Sequence, residues 1–250
     1  MVVIESWIII ATLCFLFAGT VKGTLGIGLP IAAIGAMTLF IDPRIAISLM
    51  VFPIMITNMW QCYRAGNVMQ ALKKYKWFAI ILLTCLLATT YFTAKIPVHW
   101  LLACVGVIIL VFALMNLSFS PPPIPDRLDQ PAQWIFAVFA GVLGGLTAIW
   151  SPPIAMYLIA RNASKDEFVR VTGILFFIGS LPLCIGFYQN GLLTGELAMV
   201  SVAMIIPSLI GFSIGEAIRR TLDPKGFRLL VLVCFILIGL NLIRKALIAA

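Results

Sequence analysis

The stretch Lys22–Pro30, KGTLGIGLP, decides how this chain is read. It places a lysine and three glycines, Gly23, Gly26 and Gly28, followed by Pro30, inside a run that is otherwise apolar from Ile4 to Ile41. Glycine and proline both disfavour a helix interior, glycine through its conformational freedom and proline through its missing N–H. In a bilayer, unwound backbone persists only where protein or a water-filled cavity satisfies its freed polar groups, so a break at depth marks a site. Close helix packing on small residues is the alternative. A second copy of the pattern favours the site. A shift of 122 lays Phe17, Ala18, Gly19, Gly23 and Pro30 on Phe139, Ala140, Gly141, Gly145 and Pro152, in GVLGGLTAIWSPP. A shift of 125 then lays Tyr63 and Gly66 on Tyr188 and Gly191. Interruptions at corresponding places in two halves are the sequence pointer to a transporter's binding site.

The surroundings of this stretch are lipid-like throughout. Of 250 residues, 62% are hydrophobic and 10% charged, with a mean hydropathy of +1.13. Such a composition describes an all-α polytopic membrane protein. The opening MVVIESW carries Glu5 and no basic residue, and no small-residue cleavage pattern follows, so the first segment is expected to remain in the protein. The net charge of +8 lies in short loops between apolar runs, where it reports orientation; a nucleic-acid partner is not expected. Six cysteines are scattered without paired spacing and read as small core residues. No metal and no cofactor is expected.

The proline-dense segment SPPPIPDRLDQP, residues 120–131, divides a first transmembrane repeat, 1–119, from a second, 132–250. From Ile4 to Ile41 a single helix would be about 57 Å long, against a hydrocarbon core of about 30 Å. Loop charge tests whether each broken region folds back. With the Arg64–Lys76 loop placed inside, fold-back leaves twelve basic residues inside and four outside, with Lys22 in the membrane; single crossings leave seven against nine. Fold-back therefore predicts two inverted repeats of about five segments, each opening with a broken or re-entrant helix pair. It also predicts a multi-pass inner-membrane protein with periplasmic termini.

At each break the N–H groups that begin the returning arm lack helical partners and carry the positive end of a helix dipole, an environment that favours an anion. The candidate substrate-binding residues are Lys22, Thr24, Gly26, Gly28 and Asn58 around the first break and Thr147, Trp150 and Ser151 around the second. The expectation is one anion held between the two breaks. Lys22 has two readings, one facing this site and one snorkelling to the headgroups. All nine acidic residues fall at or near segment ends, so no buried carboxylate relay is visible. Coupling to Na+ through backbone carbonyls and uncoupled movement both stay open.

The glycine-rich GTVKGTLGIGLP, its partner GVLGGLTAIWSPP and the segment GILFFIGSLPL, Gly173–Leu183, resemble the sulfite exporter TauE/SafE family of membrane permeases over nearly the whole chain. The second motif departs from the family's glycine-rich pattern by carrying Trp150 where Gly28 stands in the first, which bears on pocket shape. The resemblance implies transport of a small sulfur-containing anion such as sulfite or an organosulfonate. The expected partners are that anion, the lipid bilayer and a coupling ion, H+ or Na+; a homo-oligomer is compatible with the chain. A secondary transporter working by alternating access is the leading reading, and a passive small-anion channel the alternative. An integral membrane enzyme ranks lower, because the single histidine, His99, lies in a short turn without a nucleophile or metal cluster.

Overall fold

A computed structural model describes residues 2–93, 95–118, 122–221 and 224–248, together forming helices and turns with no strand among the described residues. The repeat boundary at 119–121 lies outside them, as do the side chains of the basic residues in 219–228. The helices are α1 Val2–Leu25, α2 Leu29–Met37, α3 Pro43–Leu49, α4 Val51–Ala65, α5 Val68–Lys74, α6 Lys76–Thr93 and α7 Val98–Ser118. After a single 3-10 turn, Asp126–Leu128, follow α8 Asp129–Thr147, α9 Ser151–Ala160, α10 Lys165–Gln189, α11 Gly195–Ala203, α12 Ile205–Thr221 and α13 Pro224–Ile248. Helix α8 thus begins inside the segment read as a linker.

Among the described residues, six stretches are long and apolar enough to cross a membrane, including Pro43–Ala65 (α3 and α4 end to end) and Gly195–Ile218 (α11 into α12). Starts are set by local chemistry. Asp42 caps α3 by accepting from the Arg44 N–H at 2.8 Å, with Pro43 preset at the first helical position. Ser164 caps α10 through the Glu167 N–H at 3.2 Å.

Contacts between the helix ends sort the chain into two faces. One face gathers Arg64 with Glu216 (2.5 Å), Lys74 with Glu167 (2.6 Å) and Arg161 with Asp126 (2.8 Å) and Asp129 (3.0 Å). The other gathers Arg44, donating to the Ile96 carbonyl at 2.9 Å, and Lys245, donating to the Leu39 carbonyl at 2.7 Å. Helices α1 and α2 form a hairpin that enters from this second face and returns to it. Helices α8 and α9 form a hairpin on the first face, closed at its base where the Ile124 N–H donates to the Ala160 carbonyl and Arg161 reaches Ile124, Asp126 and Asp129. The hydrogen bond to Asp126 holds the Arg161 guanidinium above even the usual arginine range, against the opposing effect of burial.

The most extensive helix pairs are α1 with α12, α6 with α8, α7 with α13 and α4 with α10, each joining the first half of the chain to the second. Small residues make these crossings close. A Cβ on Gly19 or Gly23 of α1 would run into the Ser208 or Phe212 carbonyl of α12, and one on Gly141 or Gly145 of α8 into Cys85 or Thr89 of α6. These are small-xxx-small contacts, in which missing side chains let backbones approach. The glycines of the two motifs therefore divide. Gly23 is helical, and α1 runs unbroken through it to Leu25, so the interruption is narrower than Gly23–Pro30.

Candidate functional site

The first break is made by Gly26 (φ +80) and Gly28 (φ +100), both in backbone conformations that glycine adopts without steric cost. The Gly26 N–H closes α1 onto the Lys22 carbonyl at 2.7 Å, and the Gly28 carbonyl opens α2 by accepting from the Ala32 N–H at 2.9 Å. The second break lies at a shift of 122 and shares the first of these two turns but not the second, since Trp150 has φ −118. Ala148 (φ +58) stands at the position of Gly26, and Trp150 precedes α9 where Gly28 precedes α2.

A cavity of about 560 Å³ lies at the first break, lined by Lys22, Gly23 and Gly26 of the α1 end, Gln61, Arg64 and Ala65 of α4, Asp166, Val169 and Arg170 of α10, and Phe212 and Glu216 of α12. Lys22 is buried, 2% exposed, and does not reach toward the headgroups. Its Nζ donates to Asn58 Oδ1 and to Thr57 Oγ1, the latter at 3.2 Å. Both acceptors are oriented by α4 itself. The Asn58 amide donates to the Ile54 carbonyl at 2.7 Å and the Thr57 hydroxyl to the Pro53 carbonyl at 2.6 Å, which turns their oxygens toward the ammonium. Among the described residues no carboxylate forms an ion pair with Lys22. Toward the mouth, Arg64 pairs with Glu216, and Arg170 donates to the Ala65 carbonyl at 3.4 Å.

Gln61 ties α4 to α10 through the Val169 carbonyl (2.8 Å) and the Thr172 hydroxyl (3.1 Å), and Gly173 leaves room for its stem. Thr24 faces away from the cavity lining. It is buried against α12, and its hydroxyl lies 2.8 Å from the Thr20 carbonyl and 3.2 Å from the Gly215 carbonyl as a donor.

At the second break no equivalent of the Lys22 cluster exists among the described residues. The shift of 122 that aligns the breaks pairs Lys22 with Gly144, and the Trp150 ring packs into the slot between Gly144 and Gly179, edge-on to Phe176 at 6.1 Å. Thr147 donates to the Leu143 carbonyl at 2.7 Å and accepts from the Ile149 N–H at 3.3 Å. Trp150 Nε1 and Ser151 Oγ are buried without hydrogen-bond partners.

The fold thus gathers Lys22, Gly26 and Asn58 in one cluster and Thr147, Trp150 and Ser151 in another. The two clusters meet α10 at different levels, Gly26 beside Val169 and Trp150 beside Phe176 and Gly179. Seven to ten residues of helix is about 10–15 Å. Thr57, Gln61 and Arg170 join the first cluster without being singled out by the motifs. The sequence signal for the first is its place beside Asn58, after the apolar opening of α4.

No curated protein and no solved structure matches the chain. The family described as sulfite exporter TauE/SafE matches residues 11–242, which span both hairpins, the cavity and every helix that lines it, so the chain belongs to the TauE/SafE family of membrane transporters.

Proposed function

We propose that the protein is a secondary transporter that exports a small sulfur oxyanion, such as sulfite or an organosulfonate, and that the anion binds in the cavity at the first break. The observation that carries this reading is Lys22, a lysine buried at the inner end of the cavity whose Nζ meets, among the described residues, the neutral oxygens of Thr57 and Asn58 and no carboxylate. A buried charge is costly unless it is paired. A mobile anion arriving through the mouth supplies the missing charge, passing the Gly26 turn, the Arg64–Glu216 pair, Asp166 and Arg170. The family's association with sulfite agrees with this chemistry.

The excess of basic residues on the face where the cavity opens supports a cytoplasmic setting for that face and periplasmic termini. Residues 1–119 and 132–250 are read as inverted repeats, a relation that lets one assembly expose a central site to either side. Because each hairpin packs mainly on a helix of the other half, the moving bodies are the α1–α2 hairpin with α12 and the α8–α9 hairpin with α6.

The test is counterflow of radiolabelled sulfite in proteoliposomes, with a panel of sulfonates as competitors. Saturable exchange accelerated by sulfite on the far side is expected. Flux that never saturates would make the protein a channel, and no sulfur-anion flux at all would overturn the reading.

A further inference from the structure

The second break holds polar groups that the Lys22 cavity leaves unused. Trp150 Nε1 and Ser151 Oγ lie on adjacent residues, each 1% exposed, and neither has a hydrogen-bond partner. A buried polar group left unsatisfied is costly enough that native structures rarely keep one without a reason. An indole N–H only donates, so the partner missing at Trp150 is an acceptor. Both residues stand at the start of α9, where the helix dipole favours negative charge. Pro152 and Pro153 remove two of the four N–H positions that a helix start leaves open, so those of Trp150 and Ser151 remain for a ligand.

A small oxyanion is much shorter than the 10–15 Å of α10 that separates Val169 from Phe176 and Gly179. It touches one break at a time. The Trp150 ring also rests on a shelf without side chains, since a Cβ on Gly144 would stand 2.9 Å from it and one on Gly179 3.3 Å. Packing alone holds the indole there, with Leu86 and Phe176 beside it, and no hydrogen bond fixes its Nε1.

Resting on the transport reading above, we infer that the second break is a separate station for the same sulfur oxyanion, reached after the Lys22 cavity and opening toward the opposite face. There the Trp150 ring leaves the Gly144–Gly179 slot, and its Nε1, the Ser151 hydroxyl and the Ser151 N–H take the anion. The route between stations follows α10.

The experiment measures half-saturating sulfite from each face separately, in proteoliposomes of one orientation, for Trp150→Phe, which keeps the ring and removes the donor, and for Ser151→Ala. Each is expected to raise the value about tenfold or more from the face opposite the cavity, the loss of one hydrogen bond to a charged acceptor, and to leave the cavity face unchanged. Lys22→Met is expected to weaken the cavity face first. Unchanged values on both faces, or an equal rise on both, would overturn the second station while leaving transport intact. Absence of sulfite flux in the unmodified protein would remove the transport reading and the station together.

Discussion

Lys22 is the residue on which stability and function pull in opposite directions. Its amine has left water for a place that offers, among the described residues, two neutral oxygens, and replacing such a group by an apolar one of similar volume is often neutral or stabilising. Lys22→Met is therefore expected to keep or raise the midpoint of thermal unfolding in detergent while sulfite flux falls by at least about a hundredfold. A loss of folded protein together with flux would make the lysine structural. Asn58 offers the complementary change. Asn58→Asp puts a carboxylate beside the ammonium, and an internal ion pair then competes with the substrate. Sulfite binding by calorimetry is expected to weaken about tenfold or more with no loss of thermal stability, and unchanged affinity would show that the anion does not meet Lys22.

At the level of helices, glycines of similar appearance play different parts. Gly23 lies where α1 touches the α12 backbone, so Gly23→Ala forces the helices apart and is expected to cost about 1–3 kcal/mol, seen as lower folded yield and a lower unfolding midpoint. Ala148 presents the reverse case. It holds φ +58 at the end of α8, a conformation that costs an L-residue about 1–2 kcal/mol and glycine nothing. Because glycine also loosens the unfolded chain, Ala148→Gly is expected to stabilise by a net amount of about 0.5–1 kcal/mol. A lower unfolding midpoint would mean that the Ala148 methyl supports the second break through packing.

For the molecule as a whole, the hairpins enter from opposite faces and each is braced by a helix from the other half, so motion of one hairpin carries its partner helix. The cavity mouth lies across such a boundary, with Arg64 on α4 facing Glu216 on α12. In a cysteine-free background, Arg64→Cys with Glu216→Cys joined by a membrane-impermeant bifunctional thiol reagent is expected to block sulfite exchange, with recovery on reduction. The block is expected only when the reagent reaches the cytoplasmic face. Blocking from the periplasmic face would reverse the orientation, and full exchange in the crosslinked protein would show that the mouth does not need to move.

Run lengths, basic loops and the doubled glycine–proline pattern are local properties of the chain, and an all-α polytopic protein with two interruptions can be read from them directly. The division of labour among the glycines cannot. Gly23 and Gly26 stand three residues apart in the same apolar context, and what separates them is a carbonyl of α12, contributed by Phe212 from the far end of the chain. The left-handed turn at Ala148 is equally hidden, because an alanine normally argues for helix and only the packing around α8 and α9 imposes the turn. Composition places Lys22 in the membrane, yet its direction follows from Thr57 and Asn58 on a helix the sequence does not visibly bring near. The motif alignment shows that Trp150 replaces a glycine; that its ring fills the slot corresponding to the lysine's, leaving the two breaks unequal, follows from α10 passing both breaks at different heights.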